Sequence, residues 1–553
     1  MKPSPWFIGI AATLGTAFLH FAAFPPLNVA EAGYIFALPM LLWAFGRPSR
    51  RRFITCTFLG SWLSWFVILI WLRHVYPPWG WVGGLILSAV LALFPTAWFL
   101  IARKLLPDSP DKPFLRRVLL LGGIAGAWIL LEWLRTWLLT GFPWLPLAAS
   151  QWLRPAMLQS AEFAGFYGVS FILIFFNLTL AMYVQRIFRS TEPEAAPTNE
   201  EEPASIPPLR SRLKLRWRFC PEFYLALAMV FISVWIYINS FSRAATREPL
   251  INVAAVQPWI PANLKWDQEM FFEILTVLAQ ENERASLSKP SPDLILWPEA
   301  ATPLPIISPN DNGMQEWVEQ RVAETGTPLI TGALGEFETG WENAVFYVAP
   351  DTGLQPGRYA KRRLVPFGEY IPMRKILFFI GTVVPLQIDL RPGDHSRPLP
   401  VAVGDKTLNA GPLICYEDIF AHLGRKVVQE GADFIVVVTN DGWYGEEAGA
   451  YQHAAHSVLR AVETRRPVVR CGNHGWSGWI DEYGNVRDVL TGDDGLVYLQ
   501  GSATFELSAD PGWQQQMTFY TKFGNWILWL AAAMLVATLL LEARPHSRAP
   551  KTP

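Results

Sequence analysis

Long apolar runs crowd the first 240 residues of the chain and then give way to a different texture. They cover residues 6–24, 27–45, 54–72, 82–101, 118–138, 163–184 and 223–241, and an eighth covers 525–541. Each comes close to the roughly 20 helical residues needed to cross a hydrocarbon core of about 30 Å. The run 27–45 carries Glu31 and has the weakest pattern, but the charges around it require it. Lys and Arg concentrate in alternate loops: Lys2 before the first run, Arg47 and Arg50 to Arg52 after the second, Arg103, Lys104, Lys112, Arg116 and Arg117 after the fourth. Arg186, Arg189 and the basic stretch 210–218 follow the sixth run, and Arg544, Arg548 and Lys551 follow the eighth. The intervening short loops hold Arg73 and Arg154. Because basic loops stay cytoplasmic, the pattern predicts eight spans with both termini inside and the long polar segment between runs seven and eight outside.

The first run shares a basic start and small Ala22 and Ala23 with a secretory leader. Its apolar stretch is longer than a leader's, and Pro25 and Pro26 stand where cleavage would fall, so a retained helix is expected. Residues 190–209, rich in Pro and Glu and poor in large apolar groups, read as a cytoplasmic linker.

From about residue 250 to 508 short apolar runs of strand type appear at 251–257, 294–299, 328–334, 344–350, 408–417, 434–441 and 468–473. Helical stretches at 266–285, 312–324 and 450–464 fall between several of them. Such alternation predicts an α/β unit with strands buried between layers and with chemistry at strand ends. Three parts follow: a membrane domain with seven helices over 1–245, an extracytoplasmic α/β domain over 250–508, and a last helix with a cytoplasmic tail over 509–553.

Composition supports a membrane partner. Hydrophobic residues make up 51% and charged residues 17% of the chain, where soluble domains carry about 25% charged residues. The 26 Trp and 35 Phe suit the boundary between lipid and water. With 46 Lys and Arg against 47 Asp and Glu there is no basic excess of the kind that a nucleic-acid surface needs. The four cysteines, Cys56, Cys220, Cys415 and Cys471, have no paired spacing, which argues against a disulfide framework or a zinc site.

Three reactive residues follow strand-like segments: Glu299 ends LILWPE, Lys361 sits in YAKRRLVPFGEY after a strand-like stretch, and Cys415 ends AGPLIC. A thiol attacks a carbonyl as thiolate, so it needs a base or a cation beside it. Glu299 can take the proton, and Lys361 can stabilise the oxyanion that follows. Taken singly, each residue has an ordinary alternative: a packed thiol, a solvated carboxylate, a surface basic patch. Residue spacing leaves their convergence open. Gly332 and Gly335 in TGALG are too few and wrongly spaced for a phosphate loop. His453 and His456 lack a third ligand of the right kind nearby and read as polar contacts; Cys471 reads as a packed strand residue.

The ordered motifs LILWPEA, YAKRRLVPFGEYIP and GPLICYEDIF resemble those of the nitrilase superfamily of carbon-nitrogen hydrolases. Together with the eight spans and the phrases AAVQPWIPANLKW, TNDGWYG, QHAAHSVLRAVETRRPVVR and NHGWSGWIDEYG, the chain resembles the apolipoprotein N-acyltransferase family. The resemblance implies a four-layer αββα sandwich on the periplasmic side of the bacterial inner membrane and a ping-pong acyl transfer by a monomer. Cys415 would take the sn-1 chain of phosphatidylethanolamine as a thioester, and the α-amine of a diacylglyceryl apolipoprotein would take it as an amide. Glu299 would be base and acid, and Lys361 would sit at the oxyanion. Neither metal nor cofactor is implied. Glu369 would hold Lys361 or the amine, and Tyr416 and Glu417 would follow the nucleophile, with Glu417 positioning donor or amine. Trp266, Trp443 and Glu463 would stand around the pocket and its mobile loops. CGNHG departs from the family's Asn-rich segment at Cys471 and His474. The competing expectations are a membrane-anchored amidase with the same three residues and a transporter, the latter disfavoured because the spans hold few charges beyond Glu31, Glu132 and Arg135.

Overall fold

The computed structural model describes residues 5–106, 112–189, 220–244, 247–376 and 389–543. The linker expected at 190–209 lies outside the described residues.

The apolar runs form helices where the sequence places them, with one exception. Trp79–Leu105, Phe114–Leu134, Ala161–Ile187, Pro221–Ser240 and Pro511–Ala543 contain helix long and apolar enough to cross a membrane, and Trp6–Ala22 is shorter. The third run forms Arg50–Ile68. The second run does not make one helix: a 3-10 turn at Ala30–Tyr34 precedes a helix of eight residues, Leu38–Phe45, about 12 Å long.

Non-helical backbone at membrane depth must find partners inside the protein, and the broken run finds them. Asn177 accepts from Ala37 N at 3.0 Å and donates to Gly33 O at 3.0 Å, while Gln151 donates to Ala30 O at 2.8 Å. The segment also passes from one end of the helices to the other. Pro25 O accepts from Gln452 of the α/β unit, whereas Pro48 O accepts from Arg103 in the last turn of Trp79–Leu105. The charges noted within the spans serve local structure: Glu132 accepts from Trp128 Nε1 and Leu147 N, and Glu31 pairs with Arg154.

The α/β unit stacks two six-stranded sheets. The first contains β1 (Glu248–Gln257), β2 (Leu294–Trp297), β3 (Leu329–Phe337), β4 (Gly340–Ala349) and β5 (Gly353–Ala360) in that order. The second runs from β6 (Leu399–Val403) through β7 (Lys406–Ile414), β8 (Phe434–Thr439), β9 (Val468–Gly472) and β10 (Gly478–Ile480) to β11 (Val486–Val489). The last strand, β12 (Gly501–Ala509), returns to pair antiparallel with β1 and closes the first sheet, Glu248 opposite Ala509. The centres are parallel, β1–β2–β3 and β7–β8–β9.

Parallel strands covered on both faces read as unbroken apolar runs, and LILW and FIVVVT are buried throughout. Alternation decides which layer each side chain joins. Val253, Ala255, Leu294 and Leu296 face the second sheet. Ala254, Val256, Ile295 and Trp297 face Ile274 and Leu278 of helix Phe271–Ser286 and Val318 and Val322 of helix Met314–Thr325. Helices Ala421–Gln429 and Gly449–Thr464 cover the second sheet, completing four layers. Every residue of Gly449–Thr464 except Tyr451 is buried, because its far face packs on the membrane helices. Gln452 fills all four amide positions there, accepting from Trp71 Nε1 (3.0 Å) and Trp144 Nε1 (2.9 Å) and donating to Pro25 O (3.1 Å) and Ile68 O (2.9 Å).

Candidate active site

The reactive residues lie just past the ends of three strands, one turn each. Glu299 follows β2 through Pro298, and its turn packs tightly on β3. A Cβ at Gly332 would stand 2.6 Å from Pro298 O and 2.7 Å from Glu299 Cα, so a glycine is required there. Ala301 N also donates to Gly332 O at 2.7 Å. The TGALG glycines thus serve strand packing. Lys361 follows β5 directly. Cys415 follows β7 with φ +50°, a left-handed conformation that side chains disfavour.

The structure brings these groups together. Lys361 Nζ donates to Glu299 Oε1 at 2.8 Å and to Glu369 Oε1 at 2.9 Å. Asn343 Nδ2 bridges the same two oxygens at 2.8 and 3.0 Å. Asn440 N donates to Glu299 Oε2 at 3.1 Å, and the charge of that carboxylate acts on the Cys415 thiol. Cys415, Glu299 and Lys361 are all buried. Glu369 also accepts from Val365 N at 2.7 Å, which folds the loop after Lys361 back on it.

Electrostatics follow from this geometry. Burial works to raise Glu299, but the Lys361 charge and the donated hydrogen bonds outweigh it and hold the carboxyl below its ordinary value. Burial works to lower Lys361, yet Glu299 and Glu369 outweigh it and raise the ammonium well above its ordinary value. Burial, and after it the Glu299 charge, push the Cys415 thiol well above its ordinary value. The resting site is therefore carboxylate, ammonium and neutral thiol.

Five of the other sequence candidates take places of their own. Glu417 is fully buried and accepts from Arg362 N (2.7 Å), Arg363 N (3.2 Å), Ile414 N (2.9 Å) and Tyr359 OH (3.0 Å). It ties the Lys361 loop to the Cys415 turn, where a role toward donor or amine was expected; its oxygens are taken up by protein donors. Glu463 also differs from expectation. It accepts from Phe166 N at 2.8 Å and pairs with Arg460 at 2.8 Å, capping helix Ala161–Arg189 where Gly165 (φ +62°) interrupts it. Tyr416 stacks on Phe142 and meets Phe420 edge to face. Trp443 is half-buried, its ring 5.8 Å from that of Tyr76. Trp266 is half-exposed in the loop before Phe271–Ser286.

The family-model match places this geometry. The N-terminal domain of apolipoprotein N-acyltransferase matches residues 16–179, and carbon-nitrogen hydrolase matches residues 252–507. Apolipoprotein N-acyltransferase of Brucella melitensis is 31% identical over 573 residues, spanning 98% of this chain and 97% of the relative. The chain belongs to the apolipoprotein N-acyltransferase family. The relative of that name in Geobacter metallireducens is 29% identical over 538 residues, 94% of this chain and 93% of its own. Among solved structures, Saccharomyces cerevisiae Nit3, of the nitrilase superfamily, covers 50% of this chain and 96% of that one at 17% identity, with a TM-score of 0.35.

In this member of the acyltransferase family several further residues line the site, among them some that lie within quoted motifs without having been singled out. Lys265, beside Trp266 but pointing inward, donates to Glu299 O at 3.0 Å, and burial pulls it down to about 8 against the pull of Glu299. Asn473 of CGNHG donates to Ile260 O (2.7 Å) and Asn440 Oδ1 (2.9 Å), joining the Lys265 loop to the strand-end turn beside Glu299. Cys471 is buried in β9, its sulfur 3.3 Å from Val256 O and from Leu296 O, a packed thiol as its sequence context suggested. His456 accepts from Leu145 N at 3.1 Å. The signal for Asn440, Asp441 and Asn473 was their place after apolar strands, where such folds collect polar groups.

Proposed function

We propose that this protein moves an acyl chain from a phospholipid to the α-amine of diacylglyceryl-cysteine at the N-terminus of apolipoproteins, through a thioester on Cys415. The observation that carries the reading is the convergence of three buried groups from three strand ends, with Lys361 and Asn343 on one oxygen of Glu299 and the charges of Glu299 and Lys361 acting on the Cys415 thiol. In the first step the Cys415 proton passes to Glu299 as sulfur attacks the ester carbonyl. The C–S bond forms, the ester C–O bond breaks, and Glu299 returns the proton to the departing lysophospholipid oxygen. Lys361, kept charged by its two carboxylates, faces the oxyanion. In the second step the amine nitrogen attacks the thioester, the C–S bond breaks, and the amine's proton passes through Glu299 to sulfur. The high thiol and low carboxyl values keep the proton on sulfur until a carbonyl is in place.

Phosphatidylethanolamine, through its sn-1 chain, is the proposed donor. The proposed location is the bacterial inner membrane, with eight spans, both termini cytoplasmic and the αββα domain periplasmic. Alternation of Lys and Arg between loops supports this topology, as does the passage of the broken second run from Pro25 to Pro48. One chain supplies all three reactive groups, so the site needs no second copy. Trp266 and Trp443 are proposed rim residues.

Intact-protein mass spectrometry after exposure to phospholipid tests the reading. The expected result is a gain of one acyl chain, absent in Cys415→Ala and discharged by a diacylglyceryl peptide that becomes acylated. Fatty acid release with no peptide acylation would overturn it in favour of a hydrolase.

A further inference from the structure

Against the Cys415 backbone lies a buried charge cluster that the acyl-transfer mechanism does not use. His453, from helix Gly449–Thr464, places Nδ1 2.7 Å from Asp441 Oδ1 and Nε2 3.1 Å from the Cys415 carbonyl oxygen. Nε2 is also 2.9 Å from Asp418 Oδ1, an ion pair without hydrogen-bond alignment. A carbonyl and a carboxylate both only accept, so both ring nitrogens carry protons and the ring is an imidazolium. Burial alone would strip that proton; Asp418 and Asp441 outweigh it and lift His453 to about 9.

We propose that His453, as an imidazolium paired with Asp441, is a positioning residue for Cys415: it pins the Cys415 carbonyl and cancels the carboxylate charge beside the thiol. The proposal rests on Cys415 being the nucleophile. The need for a pin is the left-handed Cys415 backbone, φ +50°, which persists only where its surroundings over-determine it. The need for cancellation is Asp441, whose charge works to raise the thiol. Asp441 Oδ1 accepts from Thr439 Oγ1 at 2.9 Å, and Thr439 ends β8, which pairs with the strand leading into Cys415.

The charges around His453 balance. Arg470 from β9 reaches Asp418 Oδ2 at 2.5 Å and Asp441 Oδ2 at 3.4 Å, and Ser457 donates to Asp418 at 2.6 Å. Asp418, Asp441, His453 and Arg470 sum to zero, and all four are fully buried. On its own helix His453 is near His456, which burial pushes well down and leaves neutral, and Arg460, which donates to Asp418 O at 3.1 Å. The rings of Tyr444 and, from the membrane half, Trp144 face it at 6.0 and 5.6 Å, within cation–π range for the latter. Glu299 and Lys361 also act on the thiol. Neutralising His453 leaves the cluster one negative charge in excess; neutralising Asp441 leaves one positive charge in excess.

Alkylation of Cys415 by iodoacetamide in purified full-length protein, followed by peptide mass spectrometry from neutral to alkaline pH, tests this. The midpoint of the profile reports the thiol whatever the access of the reagent. His453→Gln should raise the midpoint and slow alkylation at neutral pH about tenfold, as one unit of pKa demands. Asp441→Asn should lower the midpoint, and the double variant should return it toward wild type. A structural role would give changes of one sign that worsen in combination; that result, or an unmoved midpoint in His453→Gln, overturns the proposal. Should His453→Gln fail to fold, Asp441→Asn decides alone, and an unchanged or raised midpoint is fatal. Shifts of the expected signs in a protein that phospholipid never acylates would retire Cys415 as nucleophile while leaving the charge pairing in place.

Discussion

Tyr416 donates its phenolic hydrogen to the carbonyl of Gly141 at 2.7 Å, so the residue next to Cys415 is fastened to the membrane half. The same stretch stacks Phe142 on Tyr416 and Trp144 near His453, and its Leu145 N donates to His456. The thiol turn is thus held from the sandwich by Glu417 and from the membrane side by residues 141–145. On the proposed reading, the position of the nucleophile is set jointly by both halves.

Cys415→Ala should abolish acyl-enzyme formation from phospholipid, since among the described residues Cys415 is the thiol on which the charges of Glu299 and Lys361 act. Glu299→Gln and Lys361→Ala should each slow thioester formation by at least about 10²-fold, the scale for losing a general base or an oxyanion donor. Rapid quench with mass spectrometry reads the rates, and unchanged melting temperatures would show that the fold survives. Activity lost in Cys471→Ala but kept in Cys415→Ala would reverse the choice of thiol.

One thiol serving two lipid-bearing substrates in turn predicts ping-pong kinetics. Double-reciprocal plots at several donor concentrations should be parallel, and donor alone should accumulate acyl-enzyme. Intersecting lines with no acyl-enzyme would require a ternary complex and direct transfer.

Gly332→Ala should displace the Glu299 turn, because the added carbon would stand 2.6 Å from a backbone oxygen that has no side-chain freedom to yield. Overpacking of this kind costs about 1–3 kcal/mol. Misplacing a reactive carboxylate should lower the acylation rate by about 10²-fold. Thermal denaturation and single-turnover acylation would separate the two effects; wild-type rates would refute the packing argument.

Gln452→Leu should destabilise the junction of the two halves. It leaves two indole N–H groups and two carbonyls without their partner, and each orphaned buried group costs about 1–3 kcal/mol. A loss of at least about 3 kcal/mol is expected by denaturation in detergent. A near-neutral result would mean that water replaces the amide.

His453 supplies a stability signature with a definite sign. Its value rises from 6.5 unfolded to about 9 folded, so its contribution is complete below about pH 6.5 and is lost as pH climbs through about 9. The difference corresponds to about 3 kcal/mol. Denaturation midpoints of wild type and His453→Gln should therefore converge as pH rises across that window. Parallel curves would place the proton elsewhere.

How far the sequence reaches depends on whether a residue's neighbours lie along the chain or across space. The central strands β1 to β4 and β7 to β9 were legible because strands covered on both faces need continuous apolar runs, as LILW and FIVVVT have. Among the strands β6, β10, β11 and β12 left no such trace, and β5 left a faint one. β5, β6, β11 and β12 are the four sheet edges, where one side needs no strand partner and the pattern is relaxed. The apolar runs likewise marked the membrane helices, since lipid selects on composition alone. The break in the second run was hidden because Asn177 and Gln151, more than a hundred residues away, satisfy its backbone.

At the site, the order and motifs of Glu299, Lys361 and Cys415 were readable, and the family resemblance offered Lys361 as one of two partners for Glu369. Their convergence was not, because three strand ends meet only when two sheets stack. Nor could composition tell a pocket carboxylate from a structural one. Glu463 and Glu417 became a helix cap and a loop tie through backbone donors at Phe166, Arg362 and Ile414. Helix Gly449–Thr464 is the sharpest case. Gln452, His453, Ser457, Arg460 and Glu463 are polar or charged residues of one helix, yet all are buried, because the sandwich takes one face and the membrane helices take the other. Sequence by itself determined the layers, the membrane runs and the candidate reactive groups; tertiary packing decided which polar groups face a substrate and which hold the protein together, since a buried polar atom's role is set by whichever donor or acceptor the fold places within about 3 Å of it.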